Sequence, residues 1–559
     1  MAKYLVKITI PSVQDLIVQS RKLKDLTGGS QLIPKIMKSG LKALEDDDKV
    51  NFIIPTKNII KGQDLNLTNV AYLTIEGEKE EVIEKVRKVK ESMNAELKSL
   101  INTVKQKLSE KEFRDYENLI NYQIENSINI IWAACEVEGD NLSEAKEKVD
   151  IAVANVKSSV EPDDKNIEGF NIFQKQKNQY TAFKDYQEFI DNVYLLTPEL
   201  LRGAYLCDVC GKRVILGSTK NNFRSSITEK NEEDRLCAFC YAKRHHHGEI
   251  KKSVVDIAIR NYFKEHGDKI QQIFKKHNKL DLLNDDKQNI YLEALEKIGD
   301  NDLKTEIKNL YKEIGDPPVY YAVLMMDGDS MGEKISDAFS NGKIGLITQK
   351  LSDFSSQVKN IVKNNFGDLI YSGGDDVLAI FPLKTALEGY RELMEAFKNT
   401  MRSTGYNFTS SGGLVFVHYK IPLSYVLQET RLSESKAKKV DGKDAVCIKY
   451  IKHSFSSAEI TIKNSNLQLF EELIGYLSEK DFPFGFIYQL QELLLPYLPN
   501  TEKENQVKEL TRYLIRKKNY KNKEKFESFI LNTSLLFDFK EPEKIINTLK
   551  VAKFIASEV

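Results

Sequence analysis

Three aspartates and four cysteines have the spacings in this sequence that suggest chemistry. Asp327 lies in Met325-Met326-Asp327-Gly328-Asp329-Ser330-Met331-Gly332, directly after an apolar run that reads as a strand. Asp375 and Asp376 lie in Leu369-Ile370-Tyr371-Ser372-Gly373-Gly374-Asp375-Asp376-Val377-Leu378. Glycine tolerates the positive φ of a tight turn, so Gly373-Gly374 reads as a hairpin with both acids at its tip. In a ferredoxin-like sheet that hairpin neighbours the first strand, and the acids can converge on one point. Hard carboxylate oxygens suit Mg²⁺ or Mn²⁺, usually held by one or two carboxylates plus substrate phosphates. Two such ions can activate an attacking hydroxyl and neutralise a leaving pyrophosphate, which is nucleotidyl transfer. The Gly328 carbonyl is a candidate further ligand. The rival reading is a pair of ordinary surface turns, where Asp and Gly are common. Two acid-bearing strand ends in the right order within one predicted domain favour the site.

Cys207-Asp-Val-Cys210 and Cys237-Ala-Phe-Cys240 form two short pairs separated by a long loop. Each pair can place two thiolates on one tetrahedral ion, and a four-sulfur site closed by protein is structural Zn²⁺. Gly211 and Lys212 suit the tight turn of a zinc knuckle. Cys135 and Cys447 fall in apolar strand-like runs and read as core, as does Trp132. His245-His246-His247 reads as an exposed basic turn, and His418 as a packed or hydrogen-bonded strand end.

Two series of strands and helices position these residues. The first has strands at 4–10, 51–54, 70–75 and 128–137, with a helix from Pro11-Ser12 to about Leu26 that Gly28-Gly29-Ser30 interrupts. Such a loop can cradle phosphate with its N–H groups, or be a helix C-cap. The second has strands at 319–326, 368–371, 377–381, 411–418 and 445–450, with helices near 331–363, 384–402 and 422–438. The fold class expected is α+β, with two ferredoxin-like palm domains, a zinc ribbon, a helical domain between them and a helical C-terminal domain. The expected boundaries are 1–165 for the first palm with a helical insertion and 166–316 for the zinc ribbon and helices. The second palm takes 317–455, and 456–559 form a C-terminal helical bundle.

Lys+Arg and Asp+Glu number 82 each, so global charge does not announce nucleic-acid binding. The richest basic run, Arg516-Lys517-Lys518 with Lys521, Lys523 and Lys525, reads as a solvated helix face. No apolar run approaches the roughly 20 residues of a membrane span. The start of the chain runs into a strand rather than a signal peptide, so no membrane partner and a cytoplasmic location are expected.

Asp327-Gly-Asp-Ser-Met-Gly332, Ser372-Gly-Gly-Asp-Asp376 and Ser411-Gly-Gly-Leu-Val-Phe-Val-His418, followed by Lys420-Ile-Pro-Leu423, resemble the cyclase palm of the large subunit of type III CRISPR effector complexes. The segment from Ile10-Pro-Ser-Val to Asp25, then Gly28-Gly29-Ser30, resembles the first palm of its Cmr-type (III-B) branch. The resemblance implies an ATP-dependent nucleotidyltransferase switched on by target RNA in a guide-RNA-loaded complex with other Cmr-type subunits. It implies cyclic oligoadenylate as product, or AMP joined to S-adenosylmethionine. It makes Asp327, Asp375 and Asp376 metal ligands, with Asp329 beside them. Gly28, Gly29 and Ser30 are placed near a second nucleotide, and Ser372, Gly373, Gly374, Lys436 and Lys439 near phosphates. Many relatives begin with a His-Asp nuclease. None of the seven histidines here is followed by Asp, so no DNase activity of that kind is expected.

Two other classes compete. A diguanylate cyclase shares the Gly-Gly-Asp hairpin, but it carries Glu where Asp376 stands and has no duplicated palm or zinc ribbon. A non-catalytic scaffold would tolerate loss of the acids, and all three are present.

Overall fold

Lys3–Thr9 buries Leu5, Val6, Ile8 and Thr9 and forms β1, the first strand of a four-stranded sheet. The computed structural model describes residues 2–11, 13–62, 67–159, 207–213, 215, 234–246, 253–483 and 485–558. The mixed helical reading of 160–200, and His247, lie outside these residues. The chain divides into two units, Met1–Lys252 with Met331–Ser355, and Ser253–Ser330 with Ser356–Val559.

In the first unit β2 (Val50–Ile54), β3 (Val70–Glu76) and β4 (Ile131–Glu136) join β1 in the order β2-β3-β1-β4. The β3–β1, β1–β4 and β2–β3 pairings are all antiparallel, which is the ferredoxin-like arrangement. Helices Lys79–Lys105 and Glu110–Glu125 supply the insertion. Because β4 is an edge strand, Trp132 and Cys135 are only half-buried, and Cys135 is not the core residue its apolar setting suggested.

Gly28-Gly29-Ser30 also departs from expectation. The chain forms a short helix Val13–Val18 and then an unbroken helix Leu23–Lys42, with all three residues buried inside it. Their N–H groups serve the helix ladder, so the segment is neither a loop nor a C-cap. Burial overrides propensity here, since the helix packs against helix Ala238–His245; a Cβ on Gly29 would make only ordinary contacts, 3.4 Å from Lys243 Cδ and 3.5 Å from the Leu16 carbonyl oxygen. The Ser30 hydroxyl donates to the Thr27 carbonyl, 2.9 Å away.

The second unit holds a six-stranded sheet, β10-β9-β8-β5-β7-β6. Its strands are β5 (Tyr320–Gly328), β6 (Asp368–Gly373), β7 (Asp376–Pro382), β8 (Ser410–His418), β9 (Ala445–Ile451) and β10 (Ser457–Lys463). The β8-β5-β7-β6 part repeats the arrangement of the first sheet. Helix Leu423–Lys438 then crosses over to β9, parallel to β8. The strand β10 was not foreseen: the chain turns back antiparallel to β9 before the C-terminal helices begin at Leu467. The helix expected at 331–363 is two, Met331–Ser340 and Ile344–Asn364, parted at Gly342 with φ +65°. Among the described residues no helix is long and apolar enough to cross a membrane.

Candidate active site and metal centres

The acids meet because of strand register. Met326 of β5 pairs with Val377 of β7, and continuing that antiparallel ladder sets Asp327 opposite Asp376. Gly373 pairs with Asp376, so the two-residue turn is Gly374-Asp375 rather than Gly373-Gly374. Gly374 takes φ +81°, which a side chain would strain. One carboxylate oxygen each from Asp327, Asp375 and Asp376 lies within 4.8 Å of the others, and all three residues are half-buried. Burial pushes the Asp375 carboxyl up to about 6, partly offset by the N–H groups of Asp375 and Gly328. Burial, then Asp375 and Glu434, push Asp376 well above the usual carboxylate range. Such a cluster is costly when ionised and suits a cation.

Asp329 is not one of the three. It is buried, and its Oδ2 accepts from the Thr409 hydroxyl at 2.8 Å and from the Asp444 N–H at 3.0 Å. It therefore ties the turn after β5 to the loop before β9. Ser330, Lys443 and Asp444 all have positive φ (55°, 49° and 48°), and Lys443 Nζ donates to the Ser330 hydroxyl at 2.8 Å. Strained residues held by their surroundings cluster at functional sites.

Among the described residues, neither lysine that the resemblance places near phosphates pairs with the three acids. Lys436 pairs with Glu459 and Lys439 is exposed at the helix end. Lys438 is the one whose ammonium pairs with Asp327, and it also lies 2.8 Å from Glu434 one turn back. Burial and Lys443 push Lys438 down to about 8. The Glu434–Lys438 spacing, on the helix after a strand bearing Gly412-Gly413, was the legible signal. Ser372 is buried in the hairpin beside Gly373, where a Cβ would sit 1.7 Å from the Tyr371 hydroxyl.

Gly413 brings that helix down onto the sheet. A Cβ there would lie 2.4 Å from the Thr430 carbonyl oxygen and 2.5 Å from the Glu434 N. Both are backbone atoms and cannot step aside, so the helix would have to lift, taking Lys438 from Asp327. Gly413→Ala is expected to cost about 1–3 kcal/mol, as overpacking does. A thermal melt checks it: an unchanged melting temperature would contradict this packing.

His418 sits at the far end of β8 from Ser410-Ser411, which pair with Gly328 and Asp327. It stacks on Tyr419, with 4.9 Å between centroids, and its Nδ1 accepts from the Lys420 N–H at 3.2 Å. Packing is its role.

In the first unit Cys207, Cys210, Cys237 and Cys240 are all buried, with their sulfurs within 4.8 Å of one another. Gly211 at φ +64° closes the first knuckle, its N–H donating to the Cys207 carbonyl at 2.8 Å. Cys237 caps helix Ala238–His245, its sulfur accepting from the Cys240 N–H at 3.4 Å. Four convergent, buried thiols suit a tetrahedral metal ion. The helix they anchor carries a buried ion network. Arg244 donates to Asp25 at 2.5 and 3.0 Å and to Asp234 at 2.9 Å, while Lys243 donates to the Leu16 and Gln19 carbonyls. The cysteine segment, expected in a domain running to residue 316, is thus built into the unit that holds the first sheet.

Residues 5–133 match the family described as CRISPR-associated protein Cmr2, N-terminal, and residues 320–447 match Cas10/Cmr2, second palm domain. The chain is 26% identical over 549 residues to the CRISPR system Cmr subunit Cmr2 of Pyrococcus furiosus, covering 81% of this chain and 62% of that protein. It is 28% identical over 197 residues to the single-strand-specific deoxyribonuclease Cas10/Csm1 (subtype III-A) of Mycobacterium tuberculosis, covering 31% of this chain and 24% of that one. It thus spans less than two thirds of the length of either relative. The fold matches a chain of the apo type III-B Cmr-beta structure with a TM-score of 0.62 at 14% identity, over 99% of this chain and 82% of that one. A Cmr2 N-terminal match and a Cas10/Cmr2 second-palm match thus lie on one chain, which resembles the Cmr-type large subunit of type III-B CRISPR systems.

Proposed function

We propose that this chain is the nucleotidyltransferase subunit of an RNA-guided antiviral complex and makes a signalling nucleotide from ATP when target RNA is bound. The observation that carries this reading is the convergence of Asp327, Asp375 and Asp376 at the end of β5 and the β6–β7 turn. These carboxylates would hold Mg²⁺ or Mn²⁺. When bound, such ions supply charge neutralisation at the phosphates and acidify the attacking 3′-hydroxyl. The chain's own part is positioning. The Gly374-Asp375 turn fixes two acids, Asp329 locks the turn that follows the strand carrying Asp327, and Lys438 places a cation beside them.

Cyclic oligoadenylate is the product this reading favours: a 3′-hydroxyl attacks the α-phosphate of another ATP and displaces pyrophosphate, and the ring closes when the chain's terminal 3′-hydroxyl attacks its own 5′ α-phosphate and displaces the last pyrophosphate. The four cysteines would hold Zn²⁺ as a structural ion. Partners of the subunit are other Cmr-type subunits, guide RNA and target RNA. Support for partners comes from the family and from the fold, since a structural relative was solved as Type III-B Cmr-beta bound to cognate target RNA.

Mass spectrometry of the products tests the reading. The guide-loaded complex is incubated with target RNA, Mg²⁺ or Mn²⁺, and ATP with and without S-adenosylmethionine. Oligoadenylates from ATP alone are expected. A conjugate formed only with S-adenosylmethionine would keep the site and change the acceptor. No product in either condition would leave a scaffold and overturn the proposal.

A further inference from the structure

The basic run at 516–525 is not simply a solvated face. Helices Glu504–Lys517 and Lys523–Asn532 pack together around a groove of about 670 Å³. Lys508, Arg512, Arg516 and Lys523 line it, together with Glu524 and Glu527. Residues 504–532 hold eight Lys and Arg against four Glu, in a chain whose charges otherwise balance.

The arrangement has direction. Lys508, Arg512 and Arg516 recur every four residues, so they step along the groove about 6 Å apart, close to the spacing of successive phosphates on a single strand. Glu527 takes Arg516 Nε and Nη2 at 2.9 and 2.8 Å and lies 3.5 Å from Arg512 Nε. That acid orients both guanidiniums, Glu509 also pairs with Arg512 Nη1, and Arg516 Nη1 stays outside the pair with Glu527. Among the described residues no carboxylate pairs with Lys508, Lys517, Lys521, Lys523 or Lys525. Tyr513 is 57% exposed on the same helix, with the Lys517 ammonium 5.7 Å from its ring centroid. Lysines that no acid pairs with, on helices that also expose an aromatic ring to solvent, are what single-stranded polynucleotides bind, through phosphates and through stacking.

The geometry points to a binding track for single-stranded polynucleotide on the C-terminal helices. Lys508, Arg512, Arg516 and Lys523 hold phosphates there, and Tyr513 stacks a base. This inference is independent of the palm: an Asp375→Asn/Asp376→Asn chain binds as the wild type does.

Fluorescence anisotropy of the full chain with labelled, unstructured RNA, and with DNA of the same sequence, tests the track. Four phosphate contacts predict a slope of log K against log salt near about −3, at about −0.7 per contact. Lys508→Gln/Lys523→Gln removes two cations that no acid pairs with. It is expected to reduce the slope by about 1.4 and weaken binding about tenfold. Tyr513→Ala is expected to weaken binding by about tenfold. Lys79→Gln/Lys88→Gln in the other unit leaves it unchanged, and melting temperatures match throughout. Equal binding of RNA and DNA marks a general single-strand track, and preference for RNA marks recognition of the 2′-hydroxyl. Failure of the wild-type chain to bind either strand at low salt overturns the inference. So does an unaltered affinity and slope in the groove variants, or capture of an acidic protein with no polynucleotide binding.

Discussion

Asp375→Asn/Asp376→Asn is expected to abolish both divalent-ion binding at the palm and nucleotidyl transfer, without unfolding the chain. The three carboxylates lie within 4.8 Å of one another in a half-buried setting, and burial pushes Asp375 and Asp376 upward. Ionising them together costs free energy, so Asn relieves repulsion in the free protein. The variant should melt at or above the wild-type temperature in the absence of divalent ions. Added Mn²⁺ should stabilise only the wild type, by about 2.7 kcal/mol at a hundredfold excess over its dissociation constant. Turnover should fall on the order of 10³-fold or more, as when preorganised charge stabilisation is removed. An equal stabilisation of both proteins by Mn²⁺ would place the ion elsewhere.

The second large effect concerns the cysteines. Removing with a chelator the metal that these cysteines would hold, or replacing Cys207 and Cys210 by Ser, is expected to release helix Ala238–His245 from the first unit. The four sulfurs anchor that helix, and Lys243 and Arg244 on it are 1% and 2% exposed. Releasing it leaves Asp25, 0% exposed, without its guanidinium partner. Breaking a buried pair by removing one partner typically costs about 3–5 kcal/mol. Limited trypsinolysis gives a direct readout, because Lys243 and Arg244 are shielded from protease while the helix is docked. New cleavage after these residues, together with loss of one zinc per chain, is the expected result. A chelated protein with an unchanged digest would show that the helix holds itself in place.

Much of this architecture was legible from residue pattern alone. Both strand-helix-strand-strand-helix-strand series form the expected sheets, because Leu5-Val6 and the apolar run before Asp327 are buried central strands. The acids were legible because a β5 end and an adjacent hairpin must be neighbours in such a sheet. What escaped depended on packing between distant segments. Gly28-Gly29 looks like a helix break, yet both glycines are buried inside helix Leu23–Lys42, which packs against the distant helix Ala238–His245. The strand β10 lies on a sheet extended by a crossover, which periodicity near 457–463 did not distinguish from the helices beyond. Lys438 rather than Lys436 or Lys439 meets Asp327, because the rotation of helix Leu423–Lys438 is set by contact with Gly413. Asp329 looked like a fourth acid of the cluster. Its bonds to Thr409 and the Asp444 N–H turn it into a tether, and those partners lie some 80 residues or more along the chain.

The central claim is that the Asp327, Asp375 and Asp376 cluster transfers nucleotidyl groups from ATP. The most direct measurement is pyrophosphate release from ATP by the guide-loaded complex with target RNA, in Mg²⁺ or Mn²⁺, for the wild type and for Asp327→Asn. Release that requires the divalent ion and target RNA, and that is lost in Asp327→Asn, is the result predicted. Release at the same rate from both proteins, or from neither, would contradict it.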